Sequence, residues 1–162
     1  MSNNLLIVDP VKCTGCGECE VACSNRNTQT HNSDGACLHI VNMNSDDGFY
    51  LPVVCQHCED PPCMAVCPKG AIYKDDKSGG VLIEKNLCIG CGMCVFACPT
   101  GAMEFDGNSG RAFKCDLCEG DPVCVRVCDV RALDYVEGNK LQYPRVRDAA
   151  YKFYALTRSK AA

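Results

Sequence analysis

Seventeen of the 162 residues are cysteine, and sixteen of these fall into four groups of four. Cys13, Cys16, Cys19 and Cys23 lie in CTGCGECEVAC, and Cys55, Cys58, Cys63 and Cys67 in CQHCEDPPCMAVCP. Cys88, Cys91, Cys94 and Cys98 lie in CIGCGMCVFACP, and Cys115, Cys118, Cys124 and Cys128 in CDLCEGDPVCVRVC; Cys37 stands alone. Thiolates are soft donors, and in sets of four they hold zinc or iron–sulfur clusters. An odd count fits poorly with full disulfide pairing.

The third group reads C-x2-C-x2-C-x3-C-P, the bacterial ferredoxin run for a [4Fe–4S] cluster. Three thiolates two residues apart in a tight loop can turn inward on one cubane. Gly90 and Gly92 let the backbone wrap close enough for amide N–H groups to reach sulfur. The fourth cysteine follows on a short helical turn, faces away and ligates a different cluster, and Pro99 ends the turn. The first group repeats this spacing with Ser24 where the proline would be. The second and fourth widen the middle gap with Glu59-Asp60-Pro61-Pro62 and Glu119-Gly120-Asp121-Pro122, and the fourth ends on Asp129. Groups one and three are alike, as are two and four: a duplicated two-group unit about 60 to 75 residues apart, too long for a solenoid repeat. C-x2-C pairs alone would favour zinc ribbons. Four complete quartets with this spacing favour iron–sulfur clusters. Spacing leaves open whether group one shares clusters with two and three with four, or one with four and two with three.

Elements must hold these loops. The apolar fraction of 47% counts cysteine and falls to about 37% without it, and there is no Trp. Side-chain packing alone makes a thin core for this length. Residues 71–73 and 81–83 flank Lys77-Ser78-Gly79-Gly80, and 103–105 and 111–114 flank Gly107-Asn108-Ser109-Gly110; both read as β-hairpins. Hairpins and one-turn helices then alternate around the clusters, which form the core, and the apo-chain is largely unfolded. Beyond the last group, residues 147–160 read as a short helix with Ala150, Phe153, Tyr154 and Thr157 on one face. That stripe packs either on the chain's own core or on a larger subunit.

Several classes are excluded. A net charge of −4 without a basic stripe argues against nucleic acid; only the tail is locally basic. No apolar run approaches the roughly 18–20 residues of a spanning helix, so direct membrane insertion is not expected. The amino terminus has no basic n-region, apolar h-region or twin arginine, which points to the cytoplasm, where thiols stay reduced. No Ser/His/Asp pattern, dinucleotide fingerprint or Walker loop appears, so no catalytic site is expected. Substrate chemistry at a cluster would need an iron with three protein ligands, whereas all sixteen positions are filled.

Other residues have blander readings. Cys37 reads as a small buried apolar residue. His57, between two ligands, suits an orienting hydrogen bond to backbone or sulfur better than iron ligation. His31 and His39, in the linker over residues 25–54, read as surface residues. Asp60 and Asp121 read as caps of the turns carrying the later cysteines.

The quartets, with CQHCEDPPC in the second and CDLCEGDPVC in the fourth, resemble the four-cluster ferredoxin-like electron-transfer subunits. These serve molybdenum- and tungsten-dependent oxidoreductases, formate dehydrogenases, hydrogenases and carbon monoxide dehydrogenases. The compact size and the form of group four are similar to the small subunits of tungsten aldehyde oxidoreductases. The resemblance spans residues 5–135. It implies an α+β fold of two pseudo-repeated ferredoxin-like lobes, short hairpins and one-turn helices around four [4Fe–4S] clusters, over residues 1–136, with 137–162 as an extension. It also implies nested pairing. One cluster takes Cys13, Cys16, Cys19 and Cys128, and its neighbour Cys115, Cys118, Cys124 and Cys23. The inner pair takes Cys55, Cys58, Cys63 with Cys98, and Cys88, Cys91, Cys94 with Cys67. The implied function is relay of single electrons between a larger catalytic oxidoreductase subunit and a second redox protein, within a fixed complex. A freely diffusing polyferredoxin, or a role in higher-order assembly, is the alternative. Sixteen thiolates and four oxidised cores bring the loaded chain to about −12, which lowers the potentials, while amide hydrogen bonds to sulfur raise them.

Overall fold

Four two-stranded antiparallel sheets, four α-helices and a short 3-10 turn at Leu117–Gly120 carry the described chain, which in this computed structural model comprises residues 4–29, 31–44 and 48–137. The helix expected over 147–160 lies outside the described residues. Strand β1 (Asn4–Val8) pairs with β8 (Leu133–Glu137), bringing the two ends of the described chain together. The other sheets are local hairpins: β2 (Leu38–Asn44) with β3 (Phe49–Val54), β4 (Ile72–Lys74) with β5 (Val81–Ile83), and β6 (Met103–Asp106) with β7 (Arg111–Lys114). Helices α2 (Pro62–Ala65), α3 (Met93–Ala97) and α4 (Val123–Arg126) are single turns, whereas α1 (Glu18–Thr28) runs for 11 residues.

The hairpins read from the turn residues are β4–β5 and β6–β7, and both use the same turn chemistry. Asp75 accepts from the Ser78 N–H at 2.8 Å and hydroxyl at 2.7 Å. Asp106 accepts from the N–H groups of Asn108 at 2.9 Å and Ser109 at 3.2 Å. An aspartate that ties down the backbone two or three residues ahead holds a tight turn closed.

The linker departs from the sequence reading, because it holds the β2–β3 hairpin and the second half of α1. Pro68 and Pro99 follow Cys67 and Cys98 and stop their helices. After Cys23 stands Ser24, which keeps its N–H, so the helix continues to Thr28 and ends where Gln29 turns left-handed, at φ 58°. Ser24 is fully buried, and its hydroxyl accepts the Gly35 N–H at 3.0 Å.

Buried residues form two separate cores. The first joins Leu6, Leu38, Val54, Leu117 and Leu133 to Cys19, Cys23, Cys37 and Cys124. The second joins Ile72, Val81, Met103 and Ala112 to Cys94, with Cys63, Cys67, Cys88 and Cys98 packed against it. Groups one and four thus share one core, and groups two and three the other. Helix α1 packs on α4, and α2 on α3.

Candidate metal centres

Each cysteine loop bends at the residue before its second cysteine. Gly15, His57, Gly90 and Leu117 occupy that position with φ of 75°, 45°, 71° and 60°. Glycine adopts this region freely, whereas a residue with a Cβ pays roughly 1–2 kcal/mol. At Gly90 space also forbids a side chain, since a Cβ would collide with the carbonyl oxygen of Gly110. In group four Cys118 and Glu119 are left-handed as well. The Asp116 carboxylate steadies that turn by accepting the Cys118 N–H at 2.8 Å, and Leu117 is 1% exposed. Burial of such a side chain is worth about 1.5–3 kcal/mol, enough to offset its strain. The capping expected of Asp60 and Asp121 does not occur on α2 and α4, whose N-caps are Pro61 and Pro122 without a side-chain cap. Asp121 instead pairs with Arg126 at 2.8 Å, and Asp116 does the capping in this group.

The sixteen grouped thiols line four cavities. Cys13, Cys16 and Cys19 share one with Cys128. Cys115, Cys118 and Cys124 share one with Cys23, and the ungrouped Cys37 lines it too. Cys55, Cys58 and Cys63 share one with Cys98. Cys88, Cys91 and Cys94 share one with Cys67. Each cavity takes three grouped thiols from one loop and the fourth from another group, one exchanging with four and two with three. Among the described residues no three Cys, His, Asp or Glu side chains converge to hold a single metal ion. The thiols surround a volume rather than a point.

Backbone and hydroxyl donors reach the fourth cysteine of every set. The Sγ of Cys23 accepts from the Cys37 N–H at 3.3 Å, that of Cys67 from Ala71 at 3.2 Å, and that of Cys128 from Ala132 at 3.2 Å. The Thr100 hydroxyl lies 3.5 Å from the Sγ of Cys98. Such donors favour the thiolate. At Cys67 burial pushes the thiol up, but the N–H groups of residues 69 to 72 together outweigh it and hold it below its ordinary range. At Cys98, too, burial is outweighed by the Thr100 hydroxyl and neighbouring N–H groups, whereas burial dominates at Cys19 and Cys115 and pushes both up to about 12. Such thiols ionise when a metal supplies positive charge. Soft donors in fours, around a volume and with N–H groups aimed at sulfur, fit a cluster.

Cys37 is buried, as read from the sequence, and also polar in its contacts. It hydrogen-bonds to Cys23, which lowers the Cys23 thiol and raises its own. Asn27 Nδ2 donates to Cys37 Sγ at 3.1 Å. His31 is exposed. His39 does more than cover the surface, because its ring lies 2.8 Å from Glu104 and 3.6 Å from Glu20 and ties α1 to β6. His57 Nδ1 accepts the Val81 N–H at 2.9 Å. Lys114, only 8% exposed, donates to the carbonyl oxygens of Val81 and, at 2.8 Å, Cys115. Spacing did not single out Lys114. The available signal was the strand alternation that puts it on the face of buried Ala112.

Residues 46–138 match the 4Fe-4S dicluster domain family, and residues 13–27 a 4Fe-4S binding domain. The chain is 39% identical over 156 residues to a putative electron transport protein of Escherichia coli (strain K12), covering 90% of this chain and 97% of that protein. It is 35% identical over 137 residues to the polyferredoxin-like subunit of an aliphatic sulfonate oxidoreductase of Pyrococcus furiosus, covering 83% and 78%. Among solved structures it resembles a component of the active site complex BamBC of benzoyl-coenzyme A reductase, with a TM-score of 0.50, 26% identity and coverage of 96% and 91%. Cysteine loops, donors and relatives agree, and the chain belongs to the 4Fe-4S dicluster ferredoxins.

Proposed function

We propose that this chain is the iron–sulfur electron-transfer subunit of an oxidoreductase complex, holding four [4Fe–4S] clusters. The observation that carries the reading is the lining of each of four cavities by four of the sixteen grouped thiols. The ligand sets are Cys13, Cys16, Cys19 and Cys128; Cys115, Cys118, Cys124 and Cys23; Cys55, Cys58, Cys63 and Cys98; and Cys88, Cys91, Cys94 and Cys67. Such a cluster, when bound, takes up and releases one electron at a time. The chain's own residues position it, keep water from it and set its electrostatic surroundings. The two cores support a reading of residues 1–136 as two ferredoxin-like lobes, an outer one from groups one and four and an inner one from groups two and three. Residues 137–162 are then a separate extension.

Two partners are expected, a larger catalytic subunit and a second redox protein. Cys16 and Cys91 are the exposed ligands, and their surroundings differ. Ile89, Met93 and Phe96 around Cys91 are 62%, 50% and 92% exposed, whereas Thr14, Glu18 and Val21 hold the equivalent places around Cys16. The wholly apolar rim at Cys91 suits a permanently covered interface with the catalytic subunit, and the mixed rim at Cys16, where Thr14 and Glu18 stand beside Val21 at 40% exposed, suits a more transient partner.

The test is iron and acid-labile sulfide per chain on anaerobically purified protein, with size exclusion beside co-purifying chains. About sixteen irons in a complex with a larger chain is the expected result. About eight irons with zinc would leave a two-cluster protein. Sixteen irons on a lone monomer would keep the clusters and make the chain a freely diffusing polyferredoxin.

A further inference from the structure

We infer that Lys114 and His57 raise the reduction potential of the cluster held by Cys55, Cys58, Cys63 and Cys98, making it the highest of the four. The inference rests on the four-cluster reading above and concerns residues that are not ligands. Both side chains line that cavity.

Lys114 is a lysine in a protein interior, and no carboxylate among the described residues pairs with it. Its hydrogen bonds go to two neutral carbonyl oxygens. An uncompensated buried ammonium is strongly destabilising, so a negative charge beside it is required. A cubane with four thiolates supplies one, and adding an electron makes it more negative still. The ammonium therefore favours the reduced form, in a medium that screens it poorly.

His57 adds a hydrogen bond. Its Nδ1 accepts the Val81 N–H, so that nitrogen carries no proton and Nε2 carries it. Nε2 is sealed from water and is the buried side-chain nitrogen or oxygen without a partner among the described residues. An orphaned buried N–H is expensive, and in a cavity ringed by thiols the acceptor it fits is a cluster sulfur. The backbone makes the same point. His57 is left-handed where the equivalent residues of groups one and three are glycine, so a side chain is kept there against strain. Its ring and Lys114 grip the N–H and the carbonyl of the same residue, Val81, which is fully buried.

The other cavities lack this pair. The cavity of Cys13, Cys16 and Cys19 is lined by Glu18, and that of Cys115, Cys118 and Cys124 by Asp116. The cavity of Cys88, Cys91 and Cys94 has Lys69, which is exposed and screened by water.

The experiment is an EPR-monitored redox titration of the anaerobic holoprotein, on wild type whose iron content has been measured. In Lys114→Met the highest potential should fall enough to change its reduced-to-oxidised ratio at least tenfold, about 59 mV for one electron, while the other three hold. Lys114→Arg should keep it. His57→Phe should lower the same potential by less. With ¹⁵N-labelled histidine, that cluster's signal in the wild type should carry a nitrogen coupling that His57→Phe lacks. An unchanged highest potential in Lys114→Met, or a shift shared evenly by all four, overturns the inference. Should Lys114→Met fail to accumulate clusters, the labelled wild type decides, and no nitrogen coupling overturns it. Wild type with fewer than about sixteen irons overturns the four-cluster reading and the inference with it.

Discussion

At Gly90 the chain has room for a hydrogen and nothing larger. A methyl group there meets the Gly110 carbonyl oxygen, on a backbone with φ of 71°. Gly90→Ala should therefore cost the cluster proposed for Cys88, Cys91, Cys94 and Cys67, lowering iron by about four per chain; unchanged iron would refute the close approach. The sixteen cysteines could be found by counting, because ligand spacing is written directly in the chain. The left-handed turns at His57 and Leu117 could not, since both residue types argue against that conformation and tertiary packing overrides the preference. Lys114 was hidden for a related reason: a lysine in a strand normally faces water, and on the inference above it is a cluster beside it that makes an inward one tolerable.

Helix α1 shows how one residue changes an element. Ser24 lets the helix pass the cysteine where proline follows in α2 and α3, whereas α4 ends at Arg126 without one, and the Ser24 hydroxyl then accepts the buried Gly35 N–H. Ser24→Ala leaves that donor without its acceptor, which costs about 1–3 kcal/mol. The anaerobic melting temperature should drop by roughly 2–4 °C per kcal/mol lost. A melt identical to wild type would mean that water replaces the hydroxyl. The β4–β5 and β6–β7 hairpins were readable from Gly- and Ser-rich turns between short apolar runs. The β2–β3 hairpin was not, because Pro52 argues against a strand. It is admitted opposite Ile40 because a two-stranded sheet leaves one side of each strand without ladder bonds.

Across the whole molecule, the two cores predict divisible loss. Leu133 is 2% exposed in the core that groups one and four share. Leu133→Asp buries a carboxylate there, and it should remove the two outer clusters while leaving about eight irons on the inner pair. Loss of all sixteen together would reveal one cooperative unit. Stripping every cluster with an iron chelator should abolish most of the far-UV circular dichroism, since few apolar side chains remain to hold four small sheets; a retained spectrum would show that packing suffices. The division into two cores was not visible from spacing, which allowed either pairing of groups; long-range pairing of β1 with β8 is what sets it. That pairing also bears on biosynthesis. On the proposed ligand sets, the first cysteines to leave the ribosome are among the last to be completed, because Cys13 waits for Cys128. The 115 residues from Thr14 through Cys128 take on the order of 6–23 s at about 5–20 residues per second. The inner sites have all their ligands once Cys98 has emerged. Cluster insertion into a nascent chain therefore has a built-in order, inner lobe before outer, and the earliest-made thiols stay open to oxygen the longest.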